Sequence, residues 1–104
     1  AVSSIRMLPE IVAAVGDQIE IHLDSGIRSG QDVLKALAMG AHGTMIGRSY
    51  IYGLGAMGEA GVTKALEVIQ KELDVTMALC GERNVNHLGR HNLLIPKDFL
   101  DSYA

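Results

Sequence analysis

The sequence predicts an α/β fold with parallel strands, and three observations carry that prediction. Two short apolar runs, Ile19 to Leu23 and Gly43 to Gly47, each end in small residues followed by a helix-like stretch. The order reads helix, strand, helix, strand, helix, and the connections are only a few residues long, which suits βα units rather than hairpins.

The first helix is expected over about Ile5 to Val15, because Ile5, Leu8, Val12 and Val15 recur at helical spacing. Ser3 or Ser4 can serve as its N-cap, Pro9 falls in an early turn and Gly16 marks the stop. Ile19-Glu20-Ile21-His22-Leu23 is β-branched and bounded by Gly16-Asp17 and Ser25-Gly26, so it reads as the first strand. Ser29 then caps a second helix with Asp32 at its third position, a variant of the capping box; Val33, Leu37 and Ala41 share one face, and the helix ends near Gly40.

Gly43-Thr44-Met45-Ile46-Gly47 reads as the second strand, and Ser49 to Leu54 as a short turn of helix or a loop before Gly55 and Gly58. A long helix is expected from about Glu59 to Leu79, since Val62, Leu66, Ile69, Leu73, Met77 and Cys80 form one stripe with charged residues mostly off it. Gly81 stops it. Asn84 to Gly89 can make one more turn, and from about residue 82 to residue 104 the chain reads as a C-terminal tail without a clear period.

Parallel strands are normally covered on both faces and are not stable as a pair, so these two require further strands beside them. The chain is therefore expected to be part of a larger domain, completed by other segments of the same protein or by another copy. Its start at Ala1, with a helix and no preceding strand, points the same way.

The 104 residues are 48% apolar and 20% charged, the composition of a folded segment of at most one domain. A net charge of -3 gives no electrostatic support for binding nucleic acid or an anionic membrane surface. The uncharged stretch from Ser49 to Gly58 is short and broken by glycines, too little to span a bilayer, and the expected location is cytoplasmic. One cysteine, Cys80, excludes an internal disulfide; at helical spacing from Leu73 and Met77 it is expected to be a buried apolar residue.

The chemistry concentrates after the strands. Asp24-Ser25-Gly26-Ile27-Arg28 lets the backbone turn tightly and approach a ligand, and the following helix offers N–H groups and the positive end of its dipole. Arg28 can add a bidentate contact to a phosphate. Gly47-Arg48 repeats the arrangement one strand over. In (β/α)8 barrels the loops after strands 7 and 8 often form a phosphate site, so fold and residues agree. Asp-Ser-Gly is also an ordinary turn, and either arginine can pair with Asp32 or Glu59; two such motifs on consecutive strands favour the anion site. Asp24 suits ligand hydroxyls or neighbouring N–H groups, and a turn-stabilising role fits it nearly as well.

The histidines suggest structure more than catalysis. His22 shares a strand face with Glu20 and Asp24, and a hydrogen-bonded structural role is favoured over a catalytic one; His42 lies at the opposite strand end from the arginines. His87 and His91 are four apart, but Gly89 lies between them and no carboxylate shares their face, so no metal site is expected. There is no nucleophile elbow, and Gly53-Leu54-Gly55-Ala56-Met57-Gly58 does not directly follow a strand as a dinucleotide fingerprint would.

Asp24-Ser25-Gly26-Ile27-Arg28-Ser29-Gly30-Gln31-Asp32-Val33, then Lys35 to Ala41, Ile46-Gly47-Arg48, and Gly58-Glu59-Ala60-Gly61-Val62 through Met77-Ala78-Leu79 resemble the C-terminal part of the FMN-dependent α-hydroxy-acid dehydrogenases and oxidases. That family includes flavin L-lactate dehydrogenase, glycolate oxidase and mandelate dehydrogenase. The resemblance runs from about Ala1 to Leu94. It implies a (β/α)8 TIM barrel of which this chain, residues 1–104, supplies strands 7 and 8 with their helices. It also implies that Asp24, Ser25, Gly26, Ile27, Arg28, Gly47 and Arg48 hold the phosphate of FMN. Ser25 stands where the family more commonly has Gly.

By the same resemblance the complete enzyme oxidises a lactate-like L-2-hydroxy acid to the 2-oxo acid by hydride transfer to FMN, and it is a homo-oligomer, a tetramer. The family's catalytic histidine and substrate-binding arginine belong to a His-Gly-x-Arg motif upstream of residue 1. No catalytic residue is therefore assigned here, Tyr50, Tyr52 and Tyr103 match no such role, and the isolated piece is expected to be inactive. Peripheral attachment at the inner membrane is the alternative to a free cytoplasmic enzyme. The rival readings are the phosphate-binding part of another barrel enzyme, similar to IMP dehydrogenase, and a non-catalytic fragment that completes a barrel.

Overall fold

The computed structural model describes residues 1–100, and its elements follow the expected order. Helix α1 spans Ser4–Val15, strand β1 His22–Leu23, helix α2 Gly30–Ala38, strand β2 Gly43–Thr44 and helix α3 Arg48–Leu79; two 3-10 turns follow at Val85–His87 and Arg90–Asn92. The two strands pair in parallel, with His22 opposite Gly43 and Leu23 opposite Thr44.

Both strands are shorter than the apolar runs suggest. Each has a neighbour on one side only, so the ladder extends just to the flanking bonds from His42 N–H to the Ile21 carbonyl (2.7 Å) and from Met45 N–H to the Leu23 carbonyl (2.9 Å). Ile19 lies outside the ladder and Met45 at its end, and both are exposed. Ile21 and Leu23 point into a core with Leu8 of α1, Ile27, Ala36 and Met39 of the α2 region, and Ala41.

Helix α1 begins at Ser3, whose side chain makes no capping bond, and Pro9 sits beyond the first turn, inside the helix. Pro9 has no N–H for the Ile5 carbonyl, a local weakness offset by the full burial of Leu8 one residue earlier. Helix α2 follows its sequence signals: Ser29 is extended and its hydroxyl accepts from the Asp32 N–H at 3.2 Å.

Residues 48–56 are helical, the first of the two readings for Ser49 to Leu54 and longer than the single turn expected. They form the first arm of α3, which breaks at Met57 and Gly58 and continues as a second arm over residues 59–79. Gly58 takes φ 62° and ψ -139°, a conformation open essentially to glycine alone, and this turn folds the arms against each other. The second arm packs on α2; Met77 is buried, Gly61 is buried against Gly53 of the first arm, and Leu66 stays 53% exposed.

Cys80 is exposed rather than buried. The apolar stripe ends one step earlier than its period implies, because Cys80 is the C-cap and the chain leaves the helix there in a Schellman turn. Gly81 N–H bonds the Ala78 carbonyl and Glu82 N–H bonds the Met77 carbonyl. The tail beyond has no sequence period, yet Leu93, Ile95 and Phe99 pack against the core, and the Arg6 guanidinium lies 5.1 Å from the Phe99 ring centroid.

Candidate functional site

The loop after β1 and the start of α3 meet at one cleft. Asp24, Ser25, Gly26, Ile27, Arg28, Gly47 and Arg48, all seven residues singled out in the sequence, line it together with Met45, enclosing about 340 Å³. Parallel pairing of β1 with β2 produces this meeting, since it sets the two strand ends side by side.

The loop is fixed from within. Ser25 and Gly26 both adopt positive φ, 80° and 84°, and the Ser25 N–H donates to the Asp24 carboxylate at 2.8 Å. This is the turn-stabilising role weighed for Asp24. Ile27 is buried and pins the loop to the core. The backbone N–H of Arg28 donates to Asp32 Oδ2 at 3.0 Å, so the guanidinium has a tethered base while the residue itself is exposed. No ion pair holds the Arg28 or Arg48 side chain among the described residues, including the pairings with Asp32 or Glu59 considered above.

The two helix starts differ in what they offer. At α2, the first helical N–H, on Gly30, donates to Glu72 Oε1 at 3.1 Å, and the Asp32 N–H is taken by Ser29. Two of the N–H groups expected to be free at α2 therefore have partners within the chain, one of them a carboxylate reaching over from α3. At α3 the N-cap is Gly47, which brings no side-chain cap. The first-turn N–H groups of α3 point toward the helix start and the positive end of its dipole lies beside Arg48. A Cβ built on Gly26 or on Gly47 would meet nothing within 4 Å, so the backbone at both positions is open to a ligand. Two guanidiniums, an uncapped helix start and open backbone suit a phosphate, and the Asp24 carboxylate at the rim suits hydroxyl groups next to it.

Sequence reasoning missed Glu72 and Met45. Met45 sits on the link between β2 and α3, where position alone could have suggested it. Glu72 lies 42 residues from Gly30, and no local pattern reveals that contact.

The side chains of three of the four histidines hydrogen-bond within the chain. His22 Nε2 lies 2.5 Å from Glu20 Oε1, and this bond holds the Glu20 carboxyl below its ordinary value. His42 Nδ1 accepts from the Ile21 N–H at 2.9 Å. His91 Nε2 and Asn92 Nδ2 reach Glu82 Oε1 at 3.1 and 3.2 Å. Among the described residues no group of three or more potential metal ligands comes together. Tyr50 and Tyr52 are exposed away from the cleft lining, and Tyr103 lies outside the described residues. No helix among the described residues is long and apolar enough to cross a membrane.

Residues 1–95 match the model of the FMN-dependent dehydrogenase family. The chain is 55% identical over 83 residues to an L-lactate dehydrogenase of Caulobacter vibrioides, covering 80% of this chain and 22% of that protein. It is 46% identical over 98 residues to a pre-mycofactocin synthase of Mycobacterium tuberculosis, covering 94% of this chain and 25% of that protein. Among solved structures, a mandelate oxidase variant carrying an FMN adduct superimposes with TM-score 0.82 at 46% identity, over 86% of this chain and 29% of that one. A (S)-mandelate dehydrogenase described as a monotopic membrane protein superimposes with TM-score 0.86 at 37% identity, over 90% of this chain and 25% of that one. The chain thus spans about a quarter of the length of the curated relatives it matches.

Proposed function

The chain belongs to the FMN-dependent dehydrogenase family, and from that membership we propose that it is the part of a flavin 2-hydroxy-acid dehydrogenase or oxidase that grips the phosphate of FMN. In this reading residues 1–104 are the C-terminal portion of a (β/α)8 barrel. Strands β1 and β2 are its strands 7 and 8, and the chain from about residue 82 onward is its tail. The remaining barrel segments of the same protein cover β1, β2 and the apolar residues left exposed, and the whole assembles as a homo-oligomer.

The observation that carries the reading is the single cleft in which Asp24 to Arg28 meet Gly47 and Arg48. Arg28 and Arg48 pair with phosphate oxygens, the uncapped start of α3 donates its N–H groups, and the open backbone at Gly26 and Gly47 permits close approach. The Asp24 carboxylate accepts from the ribityl hydroxyls. When bound, FMN supplies the two-electron acceptor for oxidation of the hydroxy acid. We assign the histidine that takes the substrate's proton and the arginine that binds its carboxylate to the other barrel segments, so this chain contributes cofactor affinity and placement.

A lactate-like L-2-hydroxy acid is the substrate we favour, on the 55% identity to an L-lactate dehydrogenase. A second reading, a reaction like that of pre-mycofactocin synthase, has the longer aligned stretch in its support, 98 residues against 83. The visible spectrum of the complete protein tests both. A flavin band that bleaches on anaerobic addition of L-lactate is the expected result. A protein without flavin would overturn the reading, and a flavin bleached by no simple hydroxy acid would turn it toward the second.

A further inference from the structure

We infer that Glu72 is a positioning residue for the flavin phosphate site, acting through Gly30 from outside the cleft. The inference rests on the reading of Arg28 and Arg48 as the phosphate grip, and it concerns how their spacing is set.

On one side of the site the spacing follows from the pairing of β1 with β2. On the other side the junction is between α2 and α3. Glu72 Oε1 accepts the Gly30 N–H at 3.1 Å, in a partly buried contact that joins residues 42 apart in the chain. The two backbones also touch there: a Cβ on Gly30 would lie 2.0 Å from the Leu73 nitrogen and 2.5 Å from the Glu72 carbonyl carbon. Gly30 follows Arg28 by two residues, and Glu72 lies on the second arm of α3, which the Gly53–Gly61 backbone contact holds against the first arm that opens with Arg48. This hydrogen bond therefore ties the loop bearing one arginine to the arm against which the arm bearing the other is packed.

The bond has a second consequence. An acceptor already bonded to the first helical N–H of α2 takes that donor away from an incoming anion. With Gly30 bonded to Glu72 and Asp32 to Ser29, the helix start without a side-chain cap is that of α3. The ligand phosphate is directed to Gly47 and Arg48, with Arg28 reaching in from its Asp32-tethered base.

The test uses the complete flavoprotein and three variants of Glu72, with dissociation constants measured separately for FMN and for riboflavin, which lacks the phosphate. Glu72→Gln keeps an acceptor oxygen at the same reach, and both affinities should stay within about twofold of the parent. Glu72→Met keeps the length without the acceptor and should weaken FMN roughly tenfold while leaving riboflavin unchanged. Glu72→Asp keeps the charge but falls short of Gly30; it should behave as the Met variant does, and it decides the matter should Glu72→Met fail to fold. Equal losses of both flavins, or no loss of FMN, in the Met and Asp variants would overturn the inference. Arg48→Met serves as the control on the site itself. If it weakens FMN selectively and the Glu72 variants do not, the positioning role fails alone; if it also fails to discriminate the two flavins, the phosphate site fails.

Discussion

Gly53 and Gly61 meet backbone to backbone across the turn of α3: a Cβ on Gly61 would stand 1.7 Å from the Gly53 oxygen, and one on Gly53 would stand 2.3 Å from the Gly61 oxygen. Neither contact involves a side chain that could move aside. The arms of α3 can lie this close only with glycine at both positions, and their closeness sets where the helix start bearing Arg48 sits relative to the arm packed on α2. Gly61→Ala should therefore destabilise the complete protein by about 3 kcal/mol or more, beyond ordinary overpacking. Gly55→Ala, where a Cβ meets nothing within 4 Å, should be neutral or slightly stabilising. Denaturant midpoints of the two variants, compared with the parent, check this.

Removing either arginine tests the cleft as a phosphate site. A charge-assisted bond to phosphate contributes roughly 1.5–3 kcal/mol. Arg28→Met and Arg48→Met should each weaken FMN about tenfold to a hundredfold and leave riboflavin affinity nearly unchanged. Flavin fluorescence on titration into the apoprotein measures both. Parallel losses for the two flavins would place the arginines outside the phosphate site.

Ser25 is the one residue other than glycine with positive φ among the described residues, at 80°. Holding an L side chain in that region costs about 1 kcal/mol. Ser25→Gly should raise the stability of the complete protein by up to about 1 kcal/mol, since the relief is partly offset by the freedom glycine gains on unfolding. Ser25→Val, β-branched, should lower it by about 1–2 kcal/mol. Thermal unfolding of the apoprotein separates this backbone effect from any change in cofactor binding.

What was legible in the sequence was local. Ser29 and Asp32 cap α2 because a hydroxyl three residues before a free N–H needs no distant partner. Asp24 to Arg28 and Gly47 to Arg48 could be paired because parallel βα units force successive strand ends to one edge. Strand length was not legible, since a ladder grows only where a neighbour exists. The length of the first arm of α3 was hidden by Gly53 and Gly55, which weaken helix propensity, and Gly53 is used for a tertiary contact with Gly61 that no local rule reveals. Cys80 was misread for a similar reason: periodicity continued the stripe, but the Schellman turn at Gly81 ended the helix and left Cys80 exposed.

The 104-residue chain by itself should not behave as a folded monomer. Among the described residues a parallel pair of two-residue strands is the whole sheet, and Ile51, Leu54, Met57, Leu66, Val75 and Leu79 are all exposed by 44% or more. Apolar residues at this density need a covering surface. Sedimentation should find aggregates or oligomers, and denaturant titration a broad, weakly cooperative change. A monomer with a sharp two-state transition would count against the barrel-fragment reading.

The attachment of the tail should depend on acid. Asn92, and then His91, donate to Glu82 and hold its carboxyl below its ordinary value of 4.5. Because the folded value is depressed, the folded state binds fewer protons than the unfolded chain near that pH. The stabilisation is therefore complete above the ordinary value and is lost as pH falls through the folded one. The same Asn92 accepts from the Gly89 N–H at 3.0 Å, so protonating Glu82 loosens the 3-10 turn that leads Leu93 and Ile95 onto the core. Hydrogen exchange at the Leu93 and Ile95 amides should accelerate as pH falls below the ordinary carboxyl value of 4.5, relative to a Glu82→Gln variant, which keeps an acceptor for Asn92 and has no proton to take up. Comparing the two proteins at each pH removes the intrinsic pH dependence of exchange. An identical acid response in both would mean that Glu82 does not govern how the tail is held.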